Sequence, residues 1–447
     1  GAAGVFAAIT CAEAAPEYEV IVLEKSPRFL SKVRISGGGR CNVTHACFDP
    51  REFARNYPRG EQALIGPFQR FQASDTVAWF ESRGVKLKAE RDGRIFPVSD
   101  SAATIVDCLL SAARAAGVKL RSNCGVKSVT RGADGRFELE LTSPARGASK
   151  DGSCFHEPPI PSQGFKASTD SGPIPERFEL LEPQVQVLAA SLSCERLRCD
   201  RLLLATGGCR AAVLGQLPVS LGHTLEPPVP SLFTFTLETP WLRSLAGVAM
   251  DAEVSVPGAG LSERGPVLVT HWGLSGPAIL RLSAWGARKL HKLNCQFPLR
   301  VNWLPGSSSE EISRELQGNR ASTGARLVVN TPVEPLTARM WEALVLAAGI
   351  PRATRWAALP RASQERLVQQ LTRTELTVTG KSLNKDEFVT CGGVRLREVN
   401  FKTMESRVCP GLHLAGELLD IDGLTGGFNF QAAWTTGWIA GHAMAAG

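Results

Sequence analysis

The sequence predicts an α/β fold, a dinucleotide-binding domain whose chain is interrupted by a β-rich insertion and a small helical one. Three observations predict it. First, Gly1-Ala2-Ala3-Gly4 runs into Val5-Phe6-Ala7-Ala8-Ile9, and the apolar run Val20-Ile21-Val22-Leu23 closes on Glu24. As the last two glycines of G-x-G-x-x-G, Gly1 and Gly4 place an acidic residue twenty positions on, the spacing of a βαβ unit whose carboxylate takes ribose hydroxyls. Second, the stretch from about 225 to 305 is strand-rich with Pro-marked turns. Third, the chain returns near its end to strand, glycine turn and helix.

The opening helix begins near Gly1, where unpaired N–H groups and the helix dipole favour a diphosphate. The first strand and first glycine of the motif are expected ahead of residue 1, so the chain reads as lacking a short N-terminal piece. The strand Val20–Glu24 follows, then a glycine-rich loop from Ser36 to His45. From about 51 to 117 the pattern is mainly helical, clearest at Thr76–Arg83 and Ala102–Ala116. Short β-like runs come next at Val118–Arg121, Val126–Thr130 and Phe137–Leu141. Ser143 to Glu176 is rich in Ser, Gly, Pro and Lys and is expected to be a disordered insert. Order resumes at Gln184–Leu188 and at the buried-type strand Arg201–Ala205. The insertion supplies strands Leu232–Leu237, Ala252–Val256, Val267–Thr270 and Gln296–Val301, with a helix over Gly276–Leu290. Helices at Trp341–Ala348 and Ser363–Leu371 follow, and Asn429–Ala446 is the last. The expected blocks are 1–224, 225–308, 309–385 and 386–447.

At 447 residues the chain exceeds one ordinary core. Its net charge of +7 is dispersed, without a run of five Lys/Arg, which suits anionic small ligands and gives no nucleic-acid footprint. No apolar stretch reaches the roughly 18 residues of a membrane span. The 12 cysteines form no C-x-x-C pair and no zinc spacing, so a reducing intracellular compartment, cytoplasmic or organellar, is expected; any targeting peptide would precede Gly1.

Two segments carry the chemistry. In Ser36-Gly37-Gly38-Gly39-Arg40-Cys41-Asn42 three glycines let the backbone approach a ligand, and Arg40 suits a phosphate or carboxylate. Cys41 lacks a second thiol two or three residues away, which favours packing over redox chemistry. In the second, Leu412–Leu414 leads through Ala415-Gly416-Glu417 to Asp420, Asp422 and Gly426-Gly427-Phe428-Asn429-Phe430-Gln431. A helix N-terminus there favours negative charge on a cofactor, and the carboxylates would take sugar hydroxyls. A calcium loop is the alternative, but the spacing misses the EF-hand pattern.

These strings, with Leu23-Glu24-Lys25, Ala205-Thr206-Gly207-Gly208, Thr270-His271-Trp272-Gly273-Leu274-Ser275-Gly276-Pro277-Ala278 and Thr403-Met404-Glu405-Ser406, stand in one order. In that order they closely resemble the HI0933-like (BaiN-like) flavoproteins, over nearly the whole chain apart from 143–176. The resemblance implies an FAD-binding, Rossmann-like domain of the two-dinucleotide-binding type, carrying a β-barrel-like insert and a smaller helical one. It implies that Gly1, Ala2, Ala3, Gly4, Glu24, Lys25, Ser36, Gly37, Gly38, Gly39, Arg40, Cys41, Asn42, Thr206, Gly207, Gly416, Glu417, Gly426, Gly427, Phe428, Asn429 and Gln431 line FAD, with Val126 holding the adenine by its backbone. After Gly208 the family usually continues with a proline and a glycine-rich turn. This chain instead reads Cys209 to Pro218 and rejoins at Leu221-Gly222-His223. Altered cofactor affinity is expected, and the chain as written should hold FAD poorly.

The resulting expectation is an FAD-dependent oxidoreductase acting on a small organic substrate, an unsaturated ketone or an amine, with Arg40, Asn42 and His271 nearest the flavin. For His271 a structural hydrogen-bonded role stands beside the catalytic one. NAD(P)H is the expected reductant, although Gly258-x-Gly260 leads to Glu263 and supplies no second fingerprint. A non-catalytic flavin-binding or sensor protein is one alternative, and a flavin-dependent tRNA-modifying enzyme is another.

Overall fold

The computed structural model describes residues 1–142, 195–209, 212–382 and 389–447. The expected insert at 143–176 and the run Gln184–Leu188 lie outside them. The opening helix, Ala2–Ala14, and the final helix, Phe428–Ala445, are apolar on almost every side and buried against each other. Two glycines of the final helix make that approach possible. A Cβ on Gly437 would meet the Ala3 carbonyl oxygen at 2.6 Å, and one on Gly441 would meet that of Ala7 at 2.5 Å. Around them pack Phe6, Phe80 and Trp434, and the Trp434 indole donates to Val43 O at 3.0 Å.

Two parallel strand pairs flank this helical layer. Ile21–Leu23 pairs with Lys119–Arg121, and Leu202–Leu204 pairs with Leu412–Leu414. The leucines of the second pair suit strands covered on both faces, whereas Lys119–Arg121 leaves Lys119 exposed at an edge. The second pair extends to a four-stranded sheet through Glu405–Ser406 and Val399–Asn400. Ile21–Leu23 and Leu202–Leu204 both line one large cavity.

The insertion is a closed barrel of six strands, running Thr234–Leu237, Gly273–Ser275, Leu261–Thr270, Ala249–Val256, Phe297–Asn302 and Thr374–Ser382 around the ring. Period-two alternation fills it. Ala252, Val254, Val256, Val267, Val269, Leu299 and Val301 point inward with Phe235 and Phe297. The helices Ser309–Ser322, Ala338–Ala347 and Arg361–Thr372 pack on the same core through Ile312, Leu316, Trp341, Leu344 and Leu367. The barrel therefore draws its sixth strand from beyond these helices, inside the block expected at 309–385. Two further expectations are corrected. Gly276–Leu290 is two helices, Pro277–Trp285 and Ala287–Lys292, divided at Gly286, where a Cβ would meet Leu282 O at 2.9 Å. The region 51–117, expected mainly helical, also carries the strands Leu87–Ala89 and Arg94–Pro97, which form a three-stranded sheet with Thr44–His45.

Candidate functional site

A cavity of about 2020 Å³ lies where the two ends of the chain and the barrel meet. That exceeds the roughly 300–1,000 Å³ of an ordinary ligand pocket. Its walls include Gly1 to Gly4, Glu24, Lys25, Ser36 to Gly38, Asn42, Val126, Thr206, Gly207, Gly416, Glu417 and Gly426 to Asn429. The expected residues from both ends of the chain thus share one space. Pro266, Pro277, Leu280 and Arg281 of the barrel region close another side.

Glu24 follows its strand as the βαβ motif requires. Its Oε2 lies 3.8 Å from the Gly1 nitrogen, while Oε1 accepts from Ser26 N–H at 2.9 Å and the Ser26 hydroxyl at 2.8 Å. Cys124 N–H donates to the Glu24 carbonyl at 2.8 Å, which brings Gly125 and Val126 to the same wall. Opposite, Gly416 has φ +70° and donates to Thr436 Oγ1 at 3.0 Å; a Cβ there would meet Ala3 Cβ at 3.0 Å. Glu417 accepts from Lys32 Nζ at 2.7 Å and from Thr390 N–H at 3.0 Å.

The glycine loop is more helical than its composition predicts. A helix from Ser31 breaks at Ser36 (φ −66°, ψ 152°), and Gly37 and Gly38 then take left-handed angles. Gly37 is required, since a Cβ would meet Asn42 N at 3.0 Å and the Phe96 ring at 3.1 Å. Asn42 is buried, with its amide oxygen taking Gly427 N–H at 2.9 Å and its NH2 group donating to Thr44 O at 2.9 Å and Ile95 O at 3.2 Å. It fixes the loop against the start of the final helix.

Five of the expected site residues do not reach the cavity: Gly39, Arg40, Cys41, Gln431 and His271 are absent from its walls. The Arg40 guanidinium lies 4.0 Å over the Phe96 ring and donates to Glu90 at 2.7 Å and Asp100 at 3.5 Å. These acids satisfy the charge expected to meet a phosphate, and the Glu90 hydrogen bond pushes the guanidinium pKa up. Burial pushes the Cys41 thiol up to about 12, despite a hydrogen bond with Ser36, so it packs and does not react. Gln431 is fully buried, accepting from Thr44 Oγ1 at 2.6 Å and Thr76 Oγ1 at 2.9 Å. His271 is exposed on the turn between two barrel strands.

Asp420 and Asp422 face neither sugar nor calcium. Arg288 holds Asp420 at 2.8 Å through both oxygens. Arg59 pairs with the fully buried Asp422, which also accepts from Ser231 Oγ at 2.7 Å. Among the described residues no cluster of acidic, His or Cys side chains could hold a metal. Residues 210–211 lie outside the described chain; beyond them Ala212–Ser220 is a helix, and a Cβ on Gly215 would meet Leu225 Cδ1 at 2.9 Å and Cys209 Cβ at 3.7 Å.

Sequence reasoning missed His45, Lys32 and Arg281 on the cavity wall. His45 closes the glycine-rich loop that runs from Ser36, and its place beside that loop was the available signal. Lys32 and Arg281 carried none, because their carboxylate partners, Glu417 and Glu263, are met only in the fold.

The cavity fits a flavin dinucleotide on two observations besides its size. Thr206 Oγ1, on the cavity wall, is buried without a hydrogen-bond partner among the described residues, a group that a polar atom of a ligand would satisfy. Gly4, Gly416 and Gly427 keep the backbone of these walls closely packed: a Cβ would meet Ala205 Cβ at 3.3 Å, Ala3 Cβ at 3.0 Å and the Thr44 carbonyl carbon at 2.5 Å, respectively. Fold and site together define a Rossmann-like, FAD-binding architecture carrying a barrel insert.

The chain belongs to the HI0933-like family of flavoproteins: the HI0933-like protein Rossmann domain matches residues 1–150, and the HI0933-like protein barrel and H2TH domain matches residues 229–389. A 3-dehydro-bile acid delta(4,6)-reductase of Clostridium scindens is 28% identical over 465 residues, covering 100% of this chain and 97% of that protein. A ribosomal RNA dihydrouridine synthase of Escherichia coli is 27% identical, covering 100% and 96%. Among solved structures, a 3-ketosteroid-delta4-(5alpha)-dehydrogenase from Rhodococcus jostii RHA1 aligns at a TM-score of 0.46 and 13% identity, over 100% of this chain and 95% of that one.

Proposed function

We propose that this protein is an FAD-dependent reductase that saturates a carbon–carbon double bond conjugated to a carbonyl, with NAD(P)H as its reductant. The observation that carries the cofactor is the convergence of Gly1–Gly4, Glu24, Gly416–Glu417 and Gly426–Asn429 on one cavity. Glu24 takes ribose hydroxyls, the N-terminus of Ala2–Ala14 faces the diphosphate, and Val126 offers its backbone to the adenine. Thr206, Glu417 and the N-terminus of the final helix lie toward the flavin end. Bound there, FAD supplies two-electron hydride chemistry. The chain's own contribution is positioning and exclusion of water, with a helix N-terminus favouring negative charge.

The substrate class follows from what the two relatives' names share. A 3-oxo bile acid with a delta(4) bond and uridine both present a double bond conjugated to a carbonyl, and each name describes its reduction. The barrel wall of Pro266, Pro277, Leu280 and Arg281 is mainly apolar with a single cation, which suits a compact enone. An RNA uridine is the second reading, favoured by the Escherichia coli relative.

The test is to purify the protein, record its visible spectrum, and bleach any flavin anaerobically with NADH or NADPH. Reoxidation by a steroid 4-en-3-one, and not by uridine-containing RNA, is the expected result. A protein without flavin absorbance, or one whose flavin neither nicotinamide bleaches, refutes the reading.

A further inference from the structure

Among the described residues, His45 is the one histidine on the cavity wall, and the fold holds its ring from three sides. The ring stacks on Phe428 at a centroid distance of 4.7 Å and an interplanar angle of 26°. Its Nδ1 lies 3.0 Å from the Gly426 carbonyl oxygen, which only accepts, so Nδ1 carries a proton in either charge state. Its Nε2 makes no hydrogen bond among the described residues. Nε2 lies over Gly93, where a Cβ would stand only 2.4 Å away; Gly93 is thus the reason the ring edge has room. Gly426 plays the same part on the other edge, a Cβ there reaching Nδ1 at 3.3 Å. His45 is half-buried at the end of the strand Thr44–His45, beside the turn that starts the final helix. Arg40 and His271, the other polar candidates, are turned away from this space, and Asn42 spends its amide on backbone.

We propose that His45 is the acid–base residue of this site. The assignment rests on the reductase reading above. As hydride reaches the β-carbon of the conjugated double bond, the π electron pair moves to the α-carbon. The Nε2–H bond of protonated His45 breaks to place a proton there, and the imidazole regains a proton from water. One hydride and one proton are added in all: the substrate is reduced by two electrons, and the reduced cofactor is oxidised by two.

The test uses the full-length holoenzyme with its flavin reduced by one equivalent of dithionite. Reduced protein is mixed with an enone acceptor (2-cyclohexen-1-one or a steroid 4-en-3-one) and, separately, with ferricyanide, which takes electrons and no proton. General acid catalysis contributes about 10²–10⁴-fold. His45→Gln should therefore slow reoxidation by enone about 100-fold or more and leave ferricyanide reoxidation unchanged. The spectral titration of the oxidised flavin with enone should keep its midpoint, because binding is retained. In His45→Ala, added imidazole should restore part of the enone rate. Equal slowing with both acceptors marks a structural role and overturns the assignment. An unchanged enone rate overturns it while the reductase reading stands. A wild-type protein that holds flavin and reduces neither enone overturns both the substrate class and the role of His45. A protein that holds no flavin brings down the reading beneath them.

Discussion

Glu24 spends one carboxylate oxygen on the Ser26 N–H and hydroxyl, which orients the group before any ligand arrives. Hydrogen bonds to a charged group contribute about 1.5–3 kcal/mol. Glu24→Ala should weaken FAD retention roughly tenfold to a hundredfold, read as flavin lost on desalting; full retention would refute the ribose role. A second residue-scale device is the buried row Glu398, His223, Ser406. His223 Nδ1 lies 3.0 Å from Glu398 and its Nε2 lies 2.8 Å from Ser406 Oγ. Ser406 Oγ also accepts from Val408 and Cys409 N–H, and the row does not line the large cavity, so it serves to staple the sheet. Burial pushes the Glu398 carboxyl up, but hydrogen bonds from Thr224 and His223 outweigh it and hold the group below its ordinary 4.5. The folded state therefore releases this proton more readily than the unfolded one. The stabilisation is present above 4.5 and drains as pH falls through the lower folded-state value. Urea midpoints should show Glu398→Gln less stable than wild type at neutral pH, with the difference shrinking below pH 4.5; a difference independent of pH would refute the linkage.

At the scale of elements, the seam between the opening and final helices decides the site's precision. Gly437 and Gly441 bring the Ala3 and Ala7 carbonyl oxygens within 2.6 and 2.5 Å of where a Cβ would stand. Backbone, unlike a side-chain tip, cannot swing away. Gly441→Ala should therefore force the helices apart at a cost of about 1–3 kcal/mol, measured as a lower unfolding midpoint. Because Gly1–Gly4 and Gly426–Asn429 ride on these helices, flavin retention should fall with it. A midpoint unchanged or raised, as a plain helix-propensity gain predicts, would refute the tight seam. Elements were legible where a long period was present: Ala102–Ala116 was expected and Ala102–Ala115 is found. The strands Thr44–His45 and Leu87–Ala89 were not, because two or three residues are too few to show alternation. Thr374–Ser382 carries a period-two signal, with Leu376 and Val378 inward, but it directly follows a mainly helical stretch that masks it.

For the molecule as a whole, the Rossmann-like domain and the barrel region are joined by Arg59 and Asp422. Arg59 also donates to the Ala284 carbonyl at 2.5 Å, and Asp422 reaches Ser231 at the barrel's entry. Burial pushes the Asp422 carboxyl up against the opposing pull of Arg59 and Ser231. Removing one partner of a buried pair leaves an uncompensated charge, costing about 3–5 kcal/mol. Asp422→Ala should cost that much in urea unfolding, and Arg59→Met with Asp422→Leu should recover most of it; a cost below about 1 kcal/mol would show the pair to be solvent-screened. The sequence by itself determined the fold class, the opening βαβ spacing and the segments that line the cavity, because glycines at fixed offsets and apolar periodicity are local properties. Only the tertiary structure decided which polar side chains of those segments face the cavity. Arg40 turns to Glu90 and Asp100, fifty and sixty positions away, while His45 is seated by Gly93 and Gly426. The direction of a charged or aromatic side chain is set by distant partners and by where backbone leaves room, and neither is written in the residues beside it.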